Sequence, residues 1–283
     1  MVPLVVVLDL DGTIIGDITP QIVSWEICND IKSSGGGNFY KPKDLYAKLQ
    51  GGIIRPYFAE FIKSLKKNIP NIEFFIFTAS EKKWAMNIIG YIEKACDIKF
   101  NRPIFTRQHC LVVDSEYRKC IKKISPTIMR SLKKKYDLND VSQLDDQILI
   151  VENNDVYQPN QRKYNVFCKT YDFKYPENIG AMFDQNEYKK YRQIINKYTS
   201  RYYGFELTSD YFKFQKNFYS YYVTTINQVE GRNKMFNNDK FYKFLYKAII
   251  YVVNTKRYNK FDERVIKYIN NQLNVNKNVY SVI

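Results

Sequence analysis

Histidine is almost missing from this chain: His109 is the only one in 283 residues. The cysteines are few and odd in number (Cys28, Cys96, Cys110, Cys120 and Cys168), and no two form a CxxC pair. Together these shortages argue against a zinc site as the basis of function. The thiols read instead as reduced cysteines of an intracellular protein, in nucleus or cytoplasm. No apolar run reaches the length of a membrane span, so no membrane partner is expected. The apolar run at the N-terminus meets Asp9 too soon to be a signal peptide. Acidic residues are short as well, 29 against 44 Lys and Arg, for a net charge of +15. Such an excess implies an acidic partner: nucleic acid, a phosphoprotein or an acidic surface.

What is present suits a globular protein. Hydrophobic residues make up 45% of a length that can bury one large core, or one domain plus an appendage. The richness in Lys, Asn, Ile and Tyr reads as AT-rich coding bias. The chain is organised around Val5-Val6-Val7-Leu8-Asp9-Leu10-Asp11-Gly12-Thr13. Its apolar, largely β-branched start predicts a fully buried strand. Asp9 and Asp11, two apart at a strand end, project from one face. Two such carboxylates are costly side by side unless a cation lies between them, and oxygen ligands favour Mg²⁺. The plainer alternative is a solvated turn, which Asp-Gly also makes.

Downstream, residues 17–52 read as a cap or insertion, marked by Trp25, the Gly35-Gly36-Gly37 turn and Lys41-Pro42-Lys43. Ile53 to Lys67 predicts a helix with Pro56 at its start and Phe58, Phe61, Ile62 and Leu65 on its inner face. Ile72 to Phe77 predicts a second buried strand, ending in Thr78-Ala79-Ser80. A helix follows from about Glu81, and Pro103-Ile104-Phe105 starts a short strand. Helix resumes near Ile124 and runs through the Lys133-Lys134-Lys135 cluster. A third buried strand, Gln147 to Val151, stops at Glu152-Asn153. Buried strands alternating with amphipathic helices imply an α/β fold, a parallel sheet with helices on both faces. Ligands in such sheets bind beyond the carboxyl ends of the strands, where these three polar clusters would converge.

These motifs resemble a known family. Asp9-Leu10-Asp11-Gly12-Thr13 is similar to motif I of the haloacid dehalogenase (HAD) superfamily. Arg55-Pro56 before Phe61, Phe77-Thr78-Ala79-Ser80 with Lys83-Trp84-Ala85, Arg107 with Cys110, Tyr117-Arg118-Lys119, and Val151-Glu152-Asn153 with Gln158-Pro159-Asn160 narrow it. In that order they resemble the Fcp/Scp-type (NLI-interacting-factor-like) phosphatases, which act on the RNA polymerase II C-terminal domain. The likeness spans roughly residues 2–173. It implies a Rossmannoid HAD-like domain over 1–180 and a Mg²⁺-dependent phosphoric monoester hydrolase acting on phosphoserine or phosphothreonine in a protein. Asp9 would be the nucleophile and Asp11 the general acid and base. Thr78 and Lys119 would complete the catalytic set, while Arg107, Thr13 and Ser80 would bind substrate. Mg²⁺ would be held by Asp9, the Asp11 carbonyl, Asn153 and Glu152. Three positions depart from the pattern: Gly12 and Glu152 stand where these phosphatases usually carry Glu and Asp, and Cys120 replaces an Asp.

Other readings stay open at this stage. Lys122 rivals Lys119 as the motif lysine. Thr78 could merely satisfy a strand end. Trp84 reads as core, His109 as structural, and the lysine trio as a solvated helix face. Residues 181–283 form a basic, Tyr-rich extension without proline after Phe183, expected to be mainly helical, with helices over Phe241–Val253 and from Phe261 through Leu273. Its aromatics read as core, though aromatic and basic residues together could also track a nucleic acid strand. The function hypotheses are a protein phosphatase, a phosphatase of nucleic-acid ends or nucleotides, and a non-catalytic scaffold. The likeness extends to HAD proteins of large DNA viruses, including nucleocapsid-assembly proteins of the baculovirus and nudivirus type. That setting would place the chain in a virion or host nucleus with a viral DNA-packaging protein as target. In general the expected partner is a phosphoprotein substrate, a DNA-binding or polymerase-tail protein, with nucleic acid a further candidate for the basic surface.

Overall fold

In the computed structural model the described residues are 2–40, 42–255 and 258–275. Lys41, in the expected Lys-Pro-Lys turn, lies outside them. In chain order the strands are β1 (Leu4–Leu8), β2 (Ile72–Ile76), β3 (Leu111–Val113), β4 (Glu116–Arg118), β5 (Ile148–Glu152) and β6 (Asn165–Phe167). The α-helices are α1 (Thr19–Ser33), α2 (Pro42–Lys48), α3 (Phe58–Asn68), α4 (Lys82–Cys96), α5 (Ile121–Tyr136), α6 (Gln185–Tyr203), α7 (Tyr211–Phe236), α8 (Phe241–Ile250) and α9 (Glu263–Val275). Two compact units emerge. One gathers the described residues of Met1–Gly16, Ile54–Asp172 and Met235–Ile283; the other gathers Asp17–Ile53 and Phe173–Lys234.

The first unit is built on a parallel sheet in the order β2-β1-β5-β6. The three apolar runs read from the sequence are its neighbouring strands, each buried throughout. Burial on both faces is what removes any polar alternation from them. Their register matters most for function. Leu8 pairs with Ile76 on one side and with Val151 on the other, so the strands end level. The residues that follow are therefore delivered to one edge of the sheet.

α3 packs Phe58, Phe61, Ile62 and Leu65 inward, as its spacing predicts. It begins at Phe58 rather than Ile53, because Tyr57 adopts a left-handed backbone (φ 63°) that no helix can continue through. α5 begins at Ile121, earlier than its apolar pattern suggested. Pro103-Ile104-Phe105 contributes one bridging residue instead of a strand: Phe105 pairs with Phe77, just past the end of β2. β3 and β4 form a hairpin that the sequence did not announce. Its two turn residues, Asp114 and Ser115, both have positive φ, the geometry of a tight two-residue hairpin turn. α8 packs on α3, with the Tyr242 ring 5.0 Å from those of Phe58 and Phe61. α9 is capped by Asp262, whose carboxylate accepts from the Val265 N–H.

The second unit is helical. Val23, Ile27 and Ile31 of α1 meet Tyr188, Tyr191 and Ile195 of α6 and Phe214 and Phe218 of α7 in one core. α6 starts in a reciprocal cap, where Asp184 accepts from the Glu187 N–H and Glu187 accepts from the Asp184 N–H. It stops at Gly204 in the left-handed conformation. The described residues beyond 181 are mainly helical, as expected, with those of 184–234 in this unit and those from 235 onward in the unit that carries the sheet.

Candidate active site

Asp9 continues the pairing of β1 by donating its N–H to the Val151 carbonyl at 3.0 Å. The chain then turns sharply through Gly12, which has φ +77°. A side chain here would be doubly opposed, by the left-handed backbone and by Asn153 Nδ2, only 2.5 Å from where a Cβ would stand. That turn sets Asp11 beside the residues that follow β2. Ser80 Oγ donates to Asp11 Oδ2 at 2.6 Å, and Thr78 Oγ1 lies 3.4 Å from the same oxygen. Thr78 also accepts from the Ser80 N–H at 3.0 Å, so it serves the strand end and faces the site at once. Desolvation, and next the charge of Asp9, push the Asp11 carboxyl up to about 6, against the hydrogen bond from Ser80.

Lys119 follows β4 and is 1% exposed. Its ammonium sits 2.5 Å from Asp9 Oδ1 and 2.7 Å from Glu152 Oε2. Burial opposes the charge, but the two carboxylates outweigh it and hold the ammonium protonated well above the usual lysine range. Burial and Asp9 push the Glu152 carboxyl up while Lys119 pulls it back. The rival Lys122 is exposed on α5. At Cys120, where the resemblance expects an Asp, Gln161 supplies the missing cap. Its Oε1 accepts from the Ile121 N–H at 2.6 Å, and its Nε2 donates to Cys120 Sγ at 3.3 Å.

Opposite Lys119 lies a cluster of oxygens. Asn153 Oδ1 stands 3.1 Å from Thr13 Oγ1, 3.2 Å from Glu152 Oε1, 3.2 Å from the Asp11 carbonyl oxygen and 3.3 Å from Asp9 Oδ2. So many acceptors can face one another in two ways: the amide turns its NH₂ toward them, or a cation lies among them. Oxygens sharing a small octahedral ion with bonds of about 2.1 Å stand about 3 Å apart, so these residues fit Mg²⁺. Among the described residues no group of three or more His, Cys, Asp or Glu is gathered for a metal. The cluster here draws instead on an amide and a peptide carbonyl.

A cavity of about 230 Å³ opens over Asp9, Asp11, Ser80, Arg107 and Lys119. Arg107 stands at its rim, with Nε donating to the Ala79 carbonyl at 2.7 Å and the guanidinium 5.2 Å from the Tyr117 ring. Thr13 lies elsewhere than expected for a substrate contact. It is fully buried behind Asp9, with its hydroxyl 3.2 Å from Asp9 Oδ2. Trp84 is core at 4% exposure, and His109 accepts from the Thr106 N–H, a local structural bond.

A family model described as NLI interacting factor-like phosphatase matches residues 4–198. Among solved structures, the chain is similar to the fission yeast RNA polymerase II CTD phosphatase Fcp1, in an arginine-to-alanine form bound to beryllium fluoride. Identity is 12%, over 93% of this chain and 69% of that one, with a TM-score of 0.43. It is similar also to a structure of Fcp1 described as an essential RNA polymerase II CTD phosphatase, with 14% identity, the same coverages and a TM-score of 0.38. No curated protein matches it.

Proposed function

The chain belongs to the NLI interacting factor-like phosphatase family, and from that premise we propose that it hydrolyses phosphoserine or phosphothreonine monoesters on a protein through an aspartyl-phosphate on Asp9. The observation that carries this reading is the division of labour around Asp9. One carboxylate oxygen is tied to Lys119, the other faces the oxygen cluster at Asn153, and Asp11 stands alongside with a raised affinity for its proton.

In the first step an Asp9 oxygen attacks phosphorus and the bond to the ester oxygen breaks. Asp11 gives its proton to that leaving oxygen, the role its raised affinity suits. In the second step Asp11, now a carboxylate, takes a proton from water as the water attacks the same phosphorus. The bond to Asp9 breaks and inorganic phosphate leaves. Lys119 fixes Asp9 Oδ1 by a direct hydrogen bond and offsets charge on the phosphoryl oxygens. Thr78 and Ser80 orient Asp11, and Arg107 offers its guanidinium fork to the phosphoryl group from the rim. Mg²⁺, held by Asp9, the Asp11 carbonyl, Asn153 and Glu152, would supply the neutralisation that lets a carboxylate approach a phosphate dianion.

A second reading, a phosphatase of nucleic-acid ends, draws support from the net charge of +15. Competition against a chromogenic aryl phosphate separates the two. A phosphoserine peptide should inhibit at lower concentration than a 5′-phosphorylated oligonucleotide at physiological salt. The reverse order would favour the nucleic-acid reading.

A further inference from the structure

We propose that Tyr242, on α8, is a positioning residue of the phosphatase site, so that the segment from Met235 onward is a working part of the catalytic unit. The inference rests on the reading of Asp9 as nucleophile. Residues beyond 198 fall outside the family match, yet those from 235 belong to the same compact unit as β1. Tyr242 is fully buried, its ring fixed edge-on to Phe58 and tilted against Phe61. Its hydroxyl donates to the Thr13 carbonyl at 3.2 Å. The side chain of that same Thr13 touches Asp9 Oδ2 and Asn153 Oδ1, at 3.2 Å and 3.1 Å. A short path of hydrogen bonds therefore runs from α8 to the carboxylate that attacks phosphorus.

The start of α8 is held just as firmly. Arg55 is 1% exposed, and its Nε and Nη2 donate to Asp239 Oδ2 at 3.2 Å and 2.8 Å. The other Asp239 oxygen accepts from the Phe241 N–H at 2.9 Å, the first amide of α8. The Arg55 guanidinium also lies 4.6 Å over the Phe241 ring. On its backbone side, the Arg55 N–H donates to the Ile14 carbonyl at 2.9 Å, next to Thr13 in the chain. Arg55 thus ties the loop after β1 to the head of α8, and Tyr242 closes the connection one residue beyond Phe241.

Burying a phenol costs free energy unless its O–H is used, and packing alone would be satisfied by phenylalanine. Here the O–H goes to the residue that orients the nucleophile. Sub-ångström placement of a reacting group is worth large factors in rate, whereas substrate binding depends on other contacts.

The test is Tyr242→Phe, which keeps the ring and removes only the hydroxyl. The expected result is a fall in kcat on an aryl phosphate of about tenfold, with KM within about twofold. Tyr246→Phe is the control. It removes a phenol from the same helix whose partner is Asn68, away from the site, and kcat should not change. A folded Tyr242→Phe with the wild-type kcat overturns the proposal. Should that variant fail to fold, hydrogen exchange of the wild-type chain decides. Adding Mg²⁺ and inorganic phosphate should slow the amides of 241–250 by at least about threefold, and an unchanged rate overturns the proposal. A wild-type chain inert toward aryl phosphates would instead overturn the reading of Asp9 itself.

Discussion

The two units draw on the same residues, lysine, tyrosine and isoleucine, and use them in opposite ways. In the sheet-bearing unit, charge is buried where strands end. Lys119 is 1% exposed between two carboxylates, and Arg55 is enclosed by aromatic rings and Asp239. In the helical unit the core is aromatic and aliphatic, and charge stays outside. Lys197 of α6, for example, has a side chain 61% exposed beside Asp30. Buried tyrosines show the same contrast. Tyr188 stacks on Phe214 and donates to the Thr208 carbonyl, closing the end of its own bundle. Tyr242 donates instead to the loop that carries Asp9. Composition does not separate these regions; the fate of charge does, because among the described residues the fully buried charged side chains lie in the sheet-bearing unit, each held by a partner that offsets its desolvation.

Four perturbations would sharpen or break this contrast. The largest effect should come from Lys119→Met, which leaves Asp9 and Glu152 facing each other without a cation. Turnover should fall about 1000-fold and stability by about 3 kcal/mol, against a change of about twofold or less for Lys197→Met. Equal effects from both would erase the distinction. Next is Asp11. Its carboxyl, held at about 6, carries a proton below that pH and loses it above. With an alkyl phosphate, phosphorylation of the enzyme should therefore slow as pH rises through about 6. Asp11→Asn should flatten that limb and lower the rate about 100-fold.

The third perturbation concerns stability. Arg55→Met strands the Asp239 carboxylate in the core and should cost about 3 kcal/mol in urea unfolding. The matching change in the helical unit, Lys48→Met against Glu177, removes a partly exposed pair and should cost about 1 kcal/mol or less. The smallest effect is acid sensitivity. Burial pushes the Glu73 carboxyl up, but hydrogen bonds from Lys135, Tyr136 and Asn101 outweigh it and hold it below its ordinary range. A carboxyl depressed in the folded state stabilises above its unfolded value, and that contribution is lost as pH falls through and below the carboxylate range. Glu73→Gln should make stability less steep there, as read by chemical denaturation at stepped pH.

The sheet was legible because buried parallel strands write themselves as uninterrupted apolar runs, and Asp9, Asp11, Thr78, Ser80, Glu152 and Asn153 were legible because they end those runs. Lys119 was legible only as one of two rivals. Nothing local distinguishes it from Lys122; the bridge between Lys119 and Tyr157 buries one and leaves the other on the surface of α5. The β3–β4 hairpin went unseen because its strands are short, with Val112, Val113 and Tyr117 exposed, and so lack a core-facing pattern. The link from Tyr242 to Thr13 spans most of the chain, and Gln161 caps a helix that begins 40 residues before it. Pairings between distant segments leave no periodicity in a sequence.

The central claim is that Asp9 is a nucleophile prepared by Lys119 and an oxygen-lined cation site. The most direct test is hydrolysis of a chromogenic aryl phosphate by the full chain with Mg²⁺, alongside Asp9→Asn, a near-isosteric change that removes the nucleophilic carboxylate. The account predicts turnover by the wild type, its loss on chelation, and no turnover by a folded Asp9→Asn. A folded wild type inert with every divalent ion, or an Asp9→Asn variant as active as the wild type, would contradict it.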